Sequence, residues 1–108
     1  MAPKIVPFSF GDEAVMAGSA AQVTCLATEG DLPMDVQWHF RGSNVSSLGL
    51  GMSTTRVGSR TNLLVIDTVS PENGGLYTCR ATNGAGFADY SAELLVQGTI
   101  FKILTTTP

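Results

Sequence analysis

Cys25 and Cys79, the two cysteines of the chain, lie 54 positions apart. That spacing is too long for a CxxC redox or zinc motif. Two thiolates cannot close a tetrahedral zinc site, and the single histidine, His39, has no cysteine at ligand spacing, so no metal or cofactor is expected. A single disulfide closing a long loop fits the pair better. Loop-closure entropy assigns such a bridge about 4 kcal/mol where native strain is small. An even cysteine count in a short chain also favours an oxidising compartment.

The rest of the composition narrows the class further. A chain of 108 residues is the size of one domain, and 44% hydrophobic residues are enough to build a core. Charged residues make up 14% and the net charge is -3. That excludes the basic footprint required by nucleic acid or by an anionic membrane surface. No apolar run approaches the roughly 20 residues of a membrane-spanning helix. The opening "MAPKIVPFSF" lacks the layout of a signal peptide, so Met1 reads as an initiator placed ahead of a fragment of something larger.

Strand-like segments separated by turn formers dominate the chain, and no stretch of about 12 residues holds an unbroken helical period. "PKIVPF" (3–8, strand A) reads as an edge strand, because Pro3 and Pro7 block part of a ladder. "SAAQVTCLAT" (19–28, B), "MDVQWHFR" (34–41, C), "STTRV" (53–57, D), "TNLLVID" (61–67, E), "GLYTCRAT" (75–82, F) and "FADYSAELLV" (87–96, G) follow. About seven strands with hairpin-length links predict an all-β sandwich of two antiparallel sheets. "RGSNVSSLGLGM" (41–52) reads as a long surface connection with room for one short edge strand. The domain is expected over 1–97, and 98–108 as a linker, the start of a next domain or sequence appended in cloning. The apolar Ile100, Phe101, Ile103 and Leu104 of that tail have no assigned partner.

Trp38 falls on the strand after the one holding Cys25, and Tyr77 stands two residues before Cys79. This resembles the immunoglobulin fold, in which a disulfide joins two sheets, a Trp packs against it and a tyrosine corner closes one end. The run from Leu64, Ile66 and Val69 through "GLYTCRATNGAG" to "LLV" is similar to the I-set subtype. I-set domains usually carry Asp where this chain has Asn73. Asn73 can bond turn backbone but cannot pair with Arg56 or Arg60, a loss of about 1 kcal/mol or less for an exposed pair.

A narrower resemblance rests on "PKIVPFSFGDEAV", "DLPMDVQWHF" and "NGAGFADYSAELLV". These are similar to the alternatively spliced immunoglobulin domains of arthropod Dscam adhesion proteins: the seventh domain of the long insect form and the first of the short chelicerate form. The resemblance implies an extracellular module of a membrane-anchored cell-surface protein. It also implies self-recognition, with two identical domains from opposing cells meeting antiparallel through the sheet of strands A, B, E and D.

With Cys25 inward, strand alternation turns Ala21, Val23 and Ala27 inward and Gln22, Thr24 and Leu26 outward. Trp38, Val36 and Phe40 point in, leaving Gln37, His39 and Arg41 outside. The motif assigns Leu64 and Ile66 to the core, so Leu63 and Val65 face out. Leu26, Leu63 and Val65, flanked by Gln22, Thr24 and Asn62, form an apolar centre with a polar rim. Strand D borders it, and Thr54 and Arg56 are assigned to the face, with Thr55 and Val57 as further candidates. Scattered exposed Leu and Val are also normal on a monomer, or covered by a loop or neighbouring domain. Fully burying each such side chain is worth about 1.5–3 kcal/mol before association costs, which suggests weak pairing helped by avidity.

The other sheet offers His39, Arg41, Arg80 and Asp89, readable as a second binding surface or as a solvated charged face. His39 has no identifiable nucleophile beside it, so no catalytic residue and no small-molecule substrate are assigned. No helix follows "NGAG", which makes it a hairpin rather than a phosphate cradle. Asn44-Val45-Ser46 is an N-glycosylation sequon on the long connection. Heterophilic binding through the G-F-C face and service as a structural spacer are the alternatives to self-recognition.

Overall fold

Cys25 and Cys79 are bonded to each other, their Cα atoms 6.4 Å apart, and the two strands they join belong to different sheets. The structure, a computed structural model, describes residues 1–98. Its strands are β1 (Lys4–Ile5), β2 (Val15–Met16), β3 (Ala21–Glu29), β4 (Asp35–Phe40), β5 (Ser43–Asn44), β6 (Met52–Val57), β7 (Thr61–Ile66), β8 (Gly75–Asn83), β9 (Gly86–Leu94) and β10 (Val96–Gln97). One helical turn, α1 (Val45–Leu48), and a 3-10 turn at Pro71–Asn73 complete it. The first sheet runs β1-β3-β7-β6 and the second β5-β4-β8-β9, all antiparallel, while β10 pairs with β2 in parallel.

The core lies between the two sheets. Val23, Cys25, Ala27, Leu64 and Ile66 enter it from the first sheet, and Val36, Trp38, Phe40, Tyr77, Cys79, Ala81 and Leu94 from the second. Each set occupies alternate positions of its strand, as side chains with a period of two require. Trp38 stands opposite Cys79 in the β4–β8 ladder and so packs beside the disulfide. Its indole N–H donates to the Asn62 carbonyl at 3.0 Å, so a buried donor is satisfied across the sheets. Phe8 meets Trp38 edge-on with ring centroids 5.0 Å apart, and Phe10 meets Tyr77 likewise at 5.2 Å. The "PFSF" opening therefore contributes aromatic packing where it makes no ladder.

The tyrosine corner is formed by Tyr77, whose hydroxyl donates to the Asn73 carbonyl at 2.6 Å. Burial pushes that hydroxyl up to about 12, the nearby Arg41 charge opposing the shift. Asn73 itself is fully buried. Its Oδ1 accepts from the Ser70 N–H at 2.7 Å and its Nδ2 donates to the Leu50 carbonyl at 2.9 Å. A carboxylate here could not donate to Leu50, so Asn suits this turn in a way Asp would not. Arg56 pairs instead with Asp35 at 3.7 Å.

Three organisational expectations change. The 41–52 connection holds the short edge strand it had room for, β5, but it is not otherwise only surface: it also holds α1, and Val45 is fully buried. The strand expected over 3–8 is reduced to Lys4–Ile5, extended by one bond from the Val6 N–H to the Leu26 carbonyl at 3.0 Å; Pro3 and Pro7 cannot donate. The parallel pairing of β2 with β10 was not expected, as two-residue strands carry no periodic signal. Most of the tail expected at 98–108, including Ile100, Phe101, Ile103 and Leu104, lies outside the described residues.

Candidate recognition surface

Residues opposite one another in an antiparallel ladder project to the same face. The registers of β3, β7 and β6 therefore fix which side chains share the outer face of the first sheet. Gln22, Val65 and Ser53 form one row; Thr24, Leu63 and Thr55 the next; Leu26, Thr61 and Val57 the third. Leu63 occupies the middle of this grid. Leu26 is 37% exposed and Val57 55%, while Leu63 and Val65 are partly covered by their neighbours. None of these side chains is charged.

The same registers place three expected face residues elsewhere. Asn62 pairs in register with Cys25 and Arg56, and Thr54 with Leu64, so Asn62, Thr54 and Arg56 lie on the inner side of the sheet. Asn62 is 7% exposed and its Nδ2 donates to the Val36 carbonyl at 2.8 Å. Two positions from Leu64, it shares that residue's parity; its polarity suggested the wrong face, while the Nδ2 bond to the facing strand offsets part of the cost of burial. Thr54 and Arg56 line the gap between the sheets at the β6 edge, where Arg56 also donates to the carbonyls of Met34 and Ser59. Ser53, Thr55, Thr61 and Val57 take their places on the outer face. "STTRV" has no buried apolar residue to set its phase, and only the β6–β7 register supplies one.

The outer face of the second sheet has a different chemistry. Arg80 donates to both oxygens of Asp89, at 2.7 and 2.9 Å, and its guanidinium lies 4.1 Å over the Phe87 ring. That contact holds the Asp89 carboxyl below the usual range, first through its hydrogen bond and then through charge, with burial opposing it. A shallow trough of about 810 Å³ crosses this face, with Gln37, His39, Arg41, Thr78 and Arg80 on its lining. Arg41 donates to the Glu72 carbonyl at 2.9 Å and sits over the Phe40 ring. His39 has no cysteine or serine poised against it there. Among the described residues, no cluster of three His, Cys, Asp or Glu could hold a metal ion.

Two antiparallel sheets pinned by one disulfide, a tryptophan beside it and a tyrosine at the corner define an immunoglobulin-like sandwich, a non-enzymatic fold. The immunoglobulin domain family model matches residues 2–83, and the chain belongs to that family. Cell adhesion molecule Dscam1 of Drosophila melanogaster is 38% identical over 94 residues, 87% of this chain and 5% of the relative. Cell adhesion molecule Dscam2 of the same organism is 34% identical over 95 residues, 88% of this chain and 4% of the relative. The chain thus spans a small part of these relatives' length. The crystal structure of the Dscam1 Ig7 domain, isoform 9, matches with a TM-score of 0.84 at 38% identity, covering 89% of this chain and 100% of that one. Isoform 5 of the same domain matches with a TM-score of 0.84 at 33% identity, covering 88% and 96%. The chain is thus an immunoglobulin domain similar in sequence and structure to those of Dscam cell adhesion molecules.

Proposed function

We propose that this domain is an extracellular recognition module of a membrane-anchored adhesion protein, binding a second copy of itself. The two copies meet antiparallel through the outer face of the first sheet. The observation that carries this reading is the absence of charge from the rows centred on Leu63. A two-fold axis apposes a face with its own copy, so any charge near the axis meets a like charge. A face of Leu, Val, Thr, Ser and Gln avoids that repulsion and still offers a rim of hydroxyls and one amide for register. Selectivity among copies then depends on whether each side chain fits the residue related to it by the axis. The exposed apolar area suits micromolar affinity for one domain, strengthened by many copies at a cell contact.

Sedimentation equilibrium across a concentration series tests this reading. Reversible dimerisation in the micromolar range is expected, and a strict monomer at high micromolar concentration would remove it for the isolated domain. The trough around His39 and Arg41 favours a second reading, a different protein partner held on the second sheet. Binding to that partner would survive Leu63→Asp and be lost in Arg41→Glu.

A further inference from the structure

Val45 is fully buried, while Ser46 beside it is exposed and Asn44 partly so. The apolar side chain anchors the first turn of α1 in the core and presents its polar neighbours at the surface. Asn44 caps the turn: its Oδ1 accepts from the Ser46 backbone N–H at 3.0 Å and from the Ser46 hydroxyl at 2.7 Å. Its Nδ2 donates to Gln37 Oε1 at 2.7 Å. That amide nitrogen has two hydrogens and, among the described residues, one acceptor.

Asn44-Val45-Ser46 satisfies the acceptor rule for N-linked glycosylation, and the fold leaves room for the modification. In the transfer, the anomeric carbon of the first N-acetylglucosamine bonds to Nδ2 and releases the phosphate oxygen of its lipid-pyrophosphate carrier. One Nδ2 proton leaves to balance the charge. The remaining N–H can still donate to Gln37, and Oδ1 remains the cap of α1. No hydrogen bond of the turn has to be surrendered.

We propose that Asn44 carries an N-linked oligosaccharide lying over the seam between the two sheets, beside α1. The inference rests on the extracellular reading above. β5 is an edge strand of the second sheet and β6 an edge strand of the first. Asn44 and Ser46 line a cleft of about 200 Å³ there together with Asp35, Thr54 and Arg56. A sugar on Asn44 covers what α1 and the Arg56 side chain leave uncovered of these strand edges, which would otherwise be open to another chain. The rows around Leu63 project from the far side of the first sheet, away from the seam. The oligosaccharide therefore blocks lateral pairing and leaves the self-recognising face bare.

The chain, secreted from eukaryotic cells behind a signal peptide, is digested and the peptide containing Asn44 weighed before and after peptide-N-glycosidase treatment. A glycan-bearing peptide is expected, lost in Asn44→Gln and Ser46→Ala and retained in Ser46→Thr. Unmodified Asn44 in the folded, secreted protein overturns the proposal. Hydroxyl-radical labelling of dilute glycosylated and deglycosylated protein reads the placement. Equal labelling of Leu26 and Leu63 is expected, with weaker labelling of Leu48 and Leu50 in the glycosylated form; protection of Leu26 and Leu63 by the sugar overturns the seam. Neither readout depends on dimerisation, so failure of self-pairing and failure of glycosylation are told apart.

Discussion

Across β3, β7 and β6 the outward rows read Gln22–Val65–Ser53, Thr24–Leu63–Thr55 and Leu26–Thr61–Val57. Across β4, β8 and β9 they read Asp35–Thr82–Phe87, Gln37–Arg80–Asp89 and His39–Thr78–Ser91. The two faces share backbone geometry and differ in how their side chains are satisfied. On the second sheet, Arg80 is held by Asp89 and Phe87 within the same molecule. Covering such a pair removes water from charges already partnered, with little to gain. On the first sheet the hydroxyls and apolar groups are left to solvent, and covering them with the same uncharged rows of a second copy returns apolar burial without an ionic desolvation penalty. The contrast is the physical ground for proposing self-pairing on the first face rather than on the second.

Leu63→Asp is the strongest way to break that contrast. In a symmetric dimer the substitution enters twice, placing two carboxylates near the axis without cations in the surrounding rows. Burying an unpaired charge costs several kcal/mol, so self-association should fall by about 100-fold or more. Leu63 lies on the outer face, so Tm should move little. Sedimentation and a thermal melt on one preparation measure both, and an unchanged dimer moves the interface off this face.

Asn62→Ala sharpens the same contrast one residue away. Because Asn62 points inward, its loss removes the bond to the Val36 carbonyl and leaves that acceptor buried. Stability should drop by about 2 kcal/mol in urea unfolding, while the folded fraction dimerises as the parent does. A weakened dimer with unchanged stability would instead return Asn62 to the outer face.

The neighbouring pair Asn62 and Leu63 also marks how far the sequence could be read. Wherever an apolar alternation was tied to Cys25, Trp38 or Tyr77, side-chain direction was legible from parity alone. Val23, Leu64 and Ile66 are buried and Gln22 and Thr24 exposed. Asn62 obeys the same parity; only its polarity argued against it, and the side-chain bond that offsets part of the cost of burial, from Nδ2 to the Val36 carbonyl, reaches β4, distant in sequence. Strand β6 shows the opposite problem. Its residues Ser53 to Val57 are all outside the core, and only Met52 at its start is buried, too little alternation to fix a phase that the pairing with β7 supplies. Likewise, the burial of Val45 depends on α1 folding back between the sheets, which a Gly- and Ser-rich stretch does not announce.

Tyr77→Phe comes next in size and should act on stability without touching either face. The variant loses the bond to the Asn73 carbonyl, a change of about 1–2 kcal/mol. It should also change the alkaline limb. A folded value of about 12 lies above the ordinary tyrosine value, so the native state holds its proton where the unfolded chain releases it. That contribution is complete below pH 10 or so and is lost as pH rises towards about 12. Stability measured across this window should decline in the parent and decline less in Tyr77→Phe; parallel curves would show that the hydroxyl is not the group responsible.

The smallest effect is expected at Arg80 and Asp89, and its smallness is the test. Both side chains remain substantially exposed, at 46% and 37%, so solvent screens their attraction even though the contact is bidentate. Arg80→Ala and Asp89→Asn should each lower Tm by no more than a few degrees and leave the dimer intact. The Asp89 carboxyl is held below its ordinary value, so its contribution is present above the usual carboxylate range and is lost only as pH falls through the depressed folded value. Between neutral pH and roughly pH 5, therefore, neither stability nor dimerisation should respond to this pair. If Arg80→Ala weakened self-association as strongly as Leu63→Asp, the ion pair would be an interface element, and the division of labour between the two faces would have to be reversed.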